Sequence, residues 1–330
     1  MSIGGTSIEQ ALASLSDMTG GMVAIGKDEH AQRIARAQAF MREQGIAAIY
    51  LNAGANLTYF TGTKWYASER MVGAILPASG DIEYIAPAFE ESTLQGFMLI
   101  EGRVNCWEEH ESPYQLFVDV LARMGIAQDA HQPPRVGICE SAAFFIYDGI
   151  RPLAAGYALE NARAVTAYCR SRKSPAEIAL MQRVMDMTLA VHVATASMLY
   201  EGITTVEVEE FIQRAHRKVG APRSYFCIVL FGEATAYPHG VNYVQTLKAG
   251  DMVLIDTGCQ VMNYISDITR TYVFGTISAR QRSVWNSEKA AQAAAFAAAQ
   301  LGVPCGDVDR AARVSLEADG FGPGYKLPGL

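Results

Sequence analysis

The chain has 330 residues, half of them hydrophobic and 18% charged, which suits a globular protein of about two domains. Its 27 basic and 34 acidic side chains give a net charge of −7, and the basic stretch RSRK at 170–173 is short. That balance argues against a nucleic-acid partner, because phosphate backbones call for a basic patch or stripe.

The opening residues MSIGGTSIEQALASLSDMTGG lack the basic and apolar regions of a secretory signal. No apolar run approaches the roughly 20 residues that span a bilayer. Six cysteines are scattered without a Cys-x-x-Cys pair, as in a reduced, cytoplasmic protein. The Asn56-Leu57-Thr58 sequon is therefore expected to stay unglycosylated. Residues 21–28 (GMVAIGKD) imitate a phosphate-binding loop, but Asp28 stands where a hydroxyl would meet Mg²⁺. A loop entering a helix, with Asp28 near its N-cap, fits better.

Helical spacing then runs over 27–44, with Gly45 as a stop. IAAIYLN (46–52) reads as a buried strand, and MVGAILP and DIEYIAP flank the turn ASG as a hairpin. A helix over 114–125, a strand at 135–140, a helical stretch over 142–154 and a short strand near 158–162 complete an α/β unit ending near Thr166. Ser174, Pro175 and Glu177 form a capping box that opens a long helix. A second amphipathic helix follows Thr204 or Thr205, then a strand at SYFCIVLFG. Two helices, over 278–302 and 305–320, lie near the end of the sequence.

Among the six histidines, His192 and His216 sit within helices, as surface or hydrogen-bonded core residues would. His239, in AYPHGVN, lies between Pro238 and Gly240 and reads as presented from a loop. The stretch VLIDTGCQVMNYISDITRTYVF (253–274) places two aspartates among strand-forming residues, where Asp is depleted. If it folds as a hairpin around Met262-Asn263, opposed residue numbers add to an odd value, and so do 256 and 267. Asp256 and Asp267 then leave one face, with Cβ atoms about 4.5–8 Å apart. Two carboxylates so close repel each other unless a cation stands between them or one is protonated. Two readings stand at this point: a divalent-metal site of the kind that carboxylates bridge, or two turn-capping aspartates.

The segment LIDTGCQVMNYISDITRTYVFG resembles the metal-ligand segment of the pita-bread metallopeptidases: Asp-x-Gly, a second Asp eleven residues later, then Thr-Arg-Thr-aromatic. AYPHG resembles the Pro-His segment of that superfamily, residues 170–188 its catalytic-domain entry helix, and the first 160 or so residues, with NLTYFTG, its creatinase-type N-terminal domain. The resemblance implies an α/β chain with a creatinase-like domain over 1–166 and an incomplete pita-bread α+β catalytic domain over 167–330. The N-terminal domain argues against methionine aminopeptidase, and the retained aspartates against creatinase, which leaves the prolidase and aminopeptidase P types. By that resemblance Asp256 and Asp267 are metal ligands, and His239 is the catalytic and substrate-binding histidine. Two divalent ions (Mn²⁺ first, Co²⁺ or Zn²⁺ as alternatives) would bind a hydroxide that attacks the carbonyl before proline in an Xaa-Pro peptide. Trp65 would contact substrate across a homodimer. The pattern has five ligands, the last three (a His and two Glu) downstream of the second Asp. With no histidine after His239, the expectation is a chain truncated at its C-terminus. The alternatives are an inactive module that binds peptide or a protein partner, and another hydrolase or lyase on the same fold, such as a creatinase-like one.

Overall fold

The computed structural model describes residues 3–322. They fall into two compact units, one of Val23–Ile178 and one that joins Met1–Met22 to Ala179–Leu330. Helix α1 (Ile8–Ala13) starts at a Ser7/Gln10 capping box and belongs to the second unit, where Ala11 and Leu15 enter the main core. The Gly4 N–H donates to the Ala196 carbonyl (2.8 Å) and the Met18 N–H to that of Val219 (3.0 Å). The sequence reading places residues 1–166 in one domain. The compact units instead group the first 22 residues with the C-terminal part, because α1 buries its apolar face there.

In the first unit, α2 (Lys27–Gln44) begins at Gly26, so residues 27 and 28 are its first turn, and it ends at Gly45 with φ +67°. The chain continues through β1 (Ile46–Asn52), α3 (Ala55–Thr61), β2 (Gly73–Pro77), β3 (Glu83–Pro87), α4 (Glu91–Phe97) and β4 (Arg103–Trp107). It closes with α5 (Pro113–Arg123), β5 (Arg135–Ile138), α6 (Phe144–Ile150), β6 (Ala158–Asn161) and α7 (Arg163–Arg170). The strands form one sheet in the order β4-β3-β2-β1-β5-β6, with the expected hairpin β2–β3 antiparallel and β1, β5 and β6 parallel. β1 is almost wholly buried, as a strand packed on both faces must be. Met41, Leu57, Phe60 and Val165 fill the core on one side, and Phe117, Leu121, Ile146 and Ile150 a second one.

Helix α8 (Pro175–Met198) opens with the expected box: the Glu177 N–H donates to Ser174 Oγ and the Ser174 N–H to the Glu177 carboxylate. In the second unit follow α9 (Thr205–Lys218), capped by Thr204, then β7 (Ser224–Phe231), β8 (Met252–Val261), β9 (Tyr264–Ile265) and β10 (Ile268–Val273). Helices α10 (Ala279–Ala298) and α11 (Cys305–Ala318) come last among the described residues. The sheet order is β10-β8-β7, with β9 paired to β8. Strand alternation divides its faces. Val229, Phe231, Val253, Ile255 and Cys259 join Val184, Met187, Val191, Phe211 and Ile212 in the main core. Phe226, Ile228, Leu254 and Asp256 point the other way and stay half-buried. Among the described residues, no helix is long and apolar enough to cross a membrane.

Candidate functional site

The site is set by the β8–β10 hairpin. Met262 (φ 50°) and Asn263 (φ 71°) both take the left-handed conformation of a type I′ turn, which suits the twist of the flanking strands. Pairing then holds one register from Val261↔Tyr264 to Met252↔Val273, with odd sums throughout. Asp256 faces Thr269 in the ladder, so Asp267 is its diagonal neighbour on the same face.

The second arm of the expected hairpin is broken, because Ser266 and Asp267 lie between β9 and β10. The reason lies across the ladder. A Cβ on Gly258 would stand 1.7 Å from the Ser266 carbonyl oxygen, so this backbone step crosses over a position that only glycine leaves open. The bend brings Asp267 toward Asp256. Partial loss of hydration, then the Asp256 carboxylate within hydrogen-bonding reach, holds Asp267 above the usual carboxylate range. Asp256 Oδ1 is buried and has no hydrogen-bond partner.

A buried carboxylate oxygen without a donor, on a side chain that interacts with a second carboxylate, calls for a positive charge. These residues fit a divalent cation, for which they are two oxygen donors of the hard type that Mg²⁺ and Mn²⁺ favour. Among the described residues, no group of three or more His, Cys, Asp or Glu side chains is placed to hold a metal. Capping by the two aspartates would use their oxygens on backbone N–H groups, which the orphaned Oδ1 does not do.

His239 is exposed on the loop after β7, between Pro238 and Gly240 (φ +87°). It borders a cleft of about 290 Å³ that is also lined by Glu209, Cys227 and Ile228, the last being the ladder partner of Asp256. A Cys–His nucleophile is the other chemistry such a cleft suggests. Burial pushes the Cys227 thiol up to about 12, so it stays protonated and is a poor nucleophile. Trp65 lies in the other unit, half-buried and edge-on to Phe97 with ring centroids 6.3 Å apart.

Sequence reasoning missed the polar residues beneath the hairpin. Thr188 on α8 is fully buried, with Oγ1 2.7 Å from Ser266 Oγ and 3.2 Å from His216 Nε2. His216 Nδ1 lies 2.7 Å from Ser224 Oγ, and Ser266 Oγ accepts the Cys259 N–H at 2.8 Å. His192, one turn after Thr188, has Nε2 2.9 Å from the Ile268 carbonyl, while its buried Nδ1 has no partner. A polar pair at i and i+4 on an otherwise apolar helix face is the signal that could have marked them.

Burial, with a smaller contribution from His192, lowers His216 from 6.5 to about 4. Unfolded, His216 takes a proton below pH 6.5; folded, it stays neutral until about pH 4. Its contribution is therefore complete above pH 6.5 and is lost as pH falls toward 4, about 3 kcal/mol in all. His30 and His192, also lowered by burial, add with the same sign, whereas the raised Asp267 works the other way. Urea unfolding of wild type and His216→Gln should show a shallower fall between pH 6.5 and 4.5 for the variant. Parallel pH profiles would show that His216 does not drive the loss.

Comparison with known proteins adds the following. Residues 179–327 match the description of metallopeptidase family M24, and residues 33–172 that of the creatinase/prolidase N-terminal domain. The chain is 30% identical over 292 residues to the putative dipeptidase YkvY of Bacillus subtilis (strain 168), covering 88% of this chain and 79% of that one. Its fold is similar to the crystal structure of dipeptidase PepE from Mycobacterium ulcerans, with TM-score 0.82 and 27% identity over 90% of this chain and 79% of that one. It is likewise similar to a prolidase from Thermococcus sibiricus, with TM-score 0.79 and 26% identity over 89% of this chain and 78% of that one.

Proposed function

This chain belongs to metallopeptidase family M24, and on that premise we propose that it is a metal-dependent hydrolase of the Xaa-Pro bond, in dipeptides or at peptide N-termini. The observation that carries the reading is the Asp256–Asp267 pair, with its orphaned Oδ1 and the raised Asp267. Asp256 and Asp267 would hold divalent ions, Mn²⁺ first, with Co²⁺ or Zn²⁺ as alternatives. When bound, a divalent ion polarises the scissile carbonyl and makes water a nucleophile near neutral pH. The hairpin register already puts Asp256 and Asp267 on one face, so little reorganisation would be needed on binding. His239, on a loop bordering a cleft, would donate a hydrogen bond to the oxyanion that develops at the carbonyl, a role its exposure beside that cleft supports. The names of the relatives support peptides as substrates, and prolidase among them supports proline after the scissile bond. A cytoplasmic homodimer acting on peptides completes the proposal, with Trp65 reaching the partner's substrate.

A second reading, a module that binds peptide without cleaving it, is favoured by one observation: no third protein donor joins the pair among the described residues. One assay separates the two. Ala-Pro, Ala-Ala and a longer Ala-Pro peptide are incubated with the protein before chelation, after EDTA dialysis and after Mn²⁺ is restored. Cleavage before proline, lost with EDTA and regained with Mn²⁺, is expected, and the longer peptide decides between dipeptidase and aminopeptidase. Binding without cleavage at every Mn²⁺ concentration would leave the module reading standing.

A further inference from the structure

We infer that Thr188 and His192, one turn apart on α8, are positioning residues that fix where the Asp267 carboxylate stands opposite Asp256. The inference rests on the reading of that pair as cation ligands. Asp267 lies between two strands and outside the ladder that locates Asp256, so its place depends on its neighbours. Both neighbours are held by α8. On one side, the Ser266 hydroxyl is 2.7 Å from Thr188 Oγ1 and also accepts the Cys259 N–H. On the other, the Ile268 carbonyl is 2.9 Å from His192 Nε2. A carbonyl only accepts, so Nε2 carries the proton and His192 donates. His216 in turn backs Thr188 from α9, with its far nitrogen on Ser224.

This arrangement is costly for a purely structural core. Thr188, His216 and Ser266 are fully buried and His192 nearly so, among the apolar side chains that join α8 and α9 to the sheet. Burying such groups is unfavourable unless each finds a partner, and apolar residues of similar volume would pack that space without the requirement. Their common property is that they converge on the residues either side of Asp267. The ladder holds the backbone on either side, through the Ser266 N–H to the Cys259 carbonyl and the Ile268–Thr257 pair, and two anchors four residues apart on one rigid helix add a hold on the Ser266 hydroxyl and the Ile268 carbonyl. Groups bonded directly to a metal ligand commonly set affinity about 10–100-fold through its geometry, and anchors on both flanking residues act on the same geometry one residue away.

The test is the affinity of the full-length protein for Mn²⁺, titrated by the EPR signal of free Mn²⁺, with the melting temperature of each variant measured alongside. Thr188→Val is expected to weaken binding by about 10–100-fold, and Thr188→Ser, which keeps the hydroxyl, to stay close to wild type. His192→Leu should weaken it similarly, and His192→Gln, whose amide can donate to the same carbonyl, should recover most of it. If Thr188→Val does not fold, the His192 pair decides alone. Lower melting temperatures with unchanged Mn²⁺ affinity would overturn the positioning role and leave the metal reading intact. Wild type that binds no Mn²⁺, or binds it no better than Asp267→Ala, would overturn the metal reading itself, and the inference with it.

Discussion

Asp256→Asn should remove divalent-metal binding and lower peptide hydrolysis by more than the roughly 100-fold that loss of an outer partner costs. Asp267→Asn should do the same. The stronger test lies in the metal-free protein. Asp256 and Asp267 repel each other there, and Asp256 Oδ1 is buried without a donor. At the buried Asp256 oxygen a neutral amide costs less than a charge, and at the exposed Asp267 the substitution removes the repulsion. Each single Asn variant should therefore melt at or above the temperature of metal-free wild type, yet gain nothing when Mn²⁺ is added. Wild type should gain about 2.7 kcal/mol when Mn²⁺ reaches a hundred times its Kd. Turn-capping aspartates would behave in the opposite way, because losing a cap costs stability with or without metal. Calorimetry on four samples, wild type and Asp256→Asn with and without Mn²⁺, is enough to choose.

Gly258→Ala is the second change of large expected effect. Its methyl carbon would need to occupy space 1.7 Å from the Ser266 carbonyl oxygen and 2.7 Å from the carbonyl carbon, both backbone atoms. Ordinary overpacking costs about 1–3 kcal/mol because side chains give way. Here the hairpin arm must lift instead, and it carries the Ser266 hydroxyl out of its bonds to Thr188 and Cys259. A loss at the upper end of that range or beyond is expected in urea unfolding, together with loss of Mn²⁺ binding in any molecules that remain folded. Retention of wild-type stability would mean that the crossing at Gly258 is not what shapes the hairpin. Gly5→Ala, at a glycine with open space around it but a positive φ, measures backbone strain apart from collision.

Much of this architecture is legible in the residues. Alternation over 253–274 and the Met262-Asn263 turn set the face and register of Asp256 and Asp267, because a two-residue turn leaves one pairing parity. The capping boxes at Ser174 and Thr204 locate two helix starts. What escaped has identifiable causes. Helix α3 is built from Asn, Thr, Tyr and Phe, which favour strands or turns, and it forms between Gly54 and Gly62 because Leu57 and Phe60 are drawn into the core. The break at Ser266–Asp267 depends on a backbone crossing at Gly258, and a single glycine in a strand does not say what lies above it. The contacts of Thr188 with Ser266 and Cys259 join residues 78 and 71 positions apart, a distance that no local pattern spans. His239 was readable as a loop residue from its Pro and Gly neighbours, but the cleft beside it was not, since Glu209 and Cys227 come from other elements.

The grouping of the first 22 residues with those after 178 bears on how the protein is made. A ribosome extends the chain at about 5–20 residues per second. The partners that Met18 meets, Arg183 and Val219, therefore emerge roughly 10–40 s after it does. Throughout that interval the core that α1 joins is not yet made, while residues 23–178 already hold all six strands of their own sheet. The contacts of this segment with the second unit can form only after helices synthesised much later have emerged. Its short length and its polar positions around Ala11 and Leu15 suit a segment that has to stay soluble while it waits.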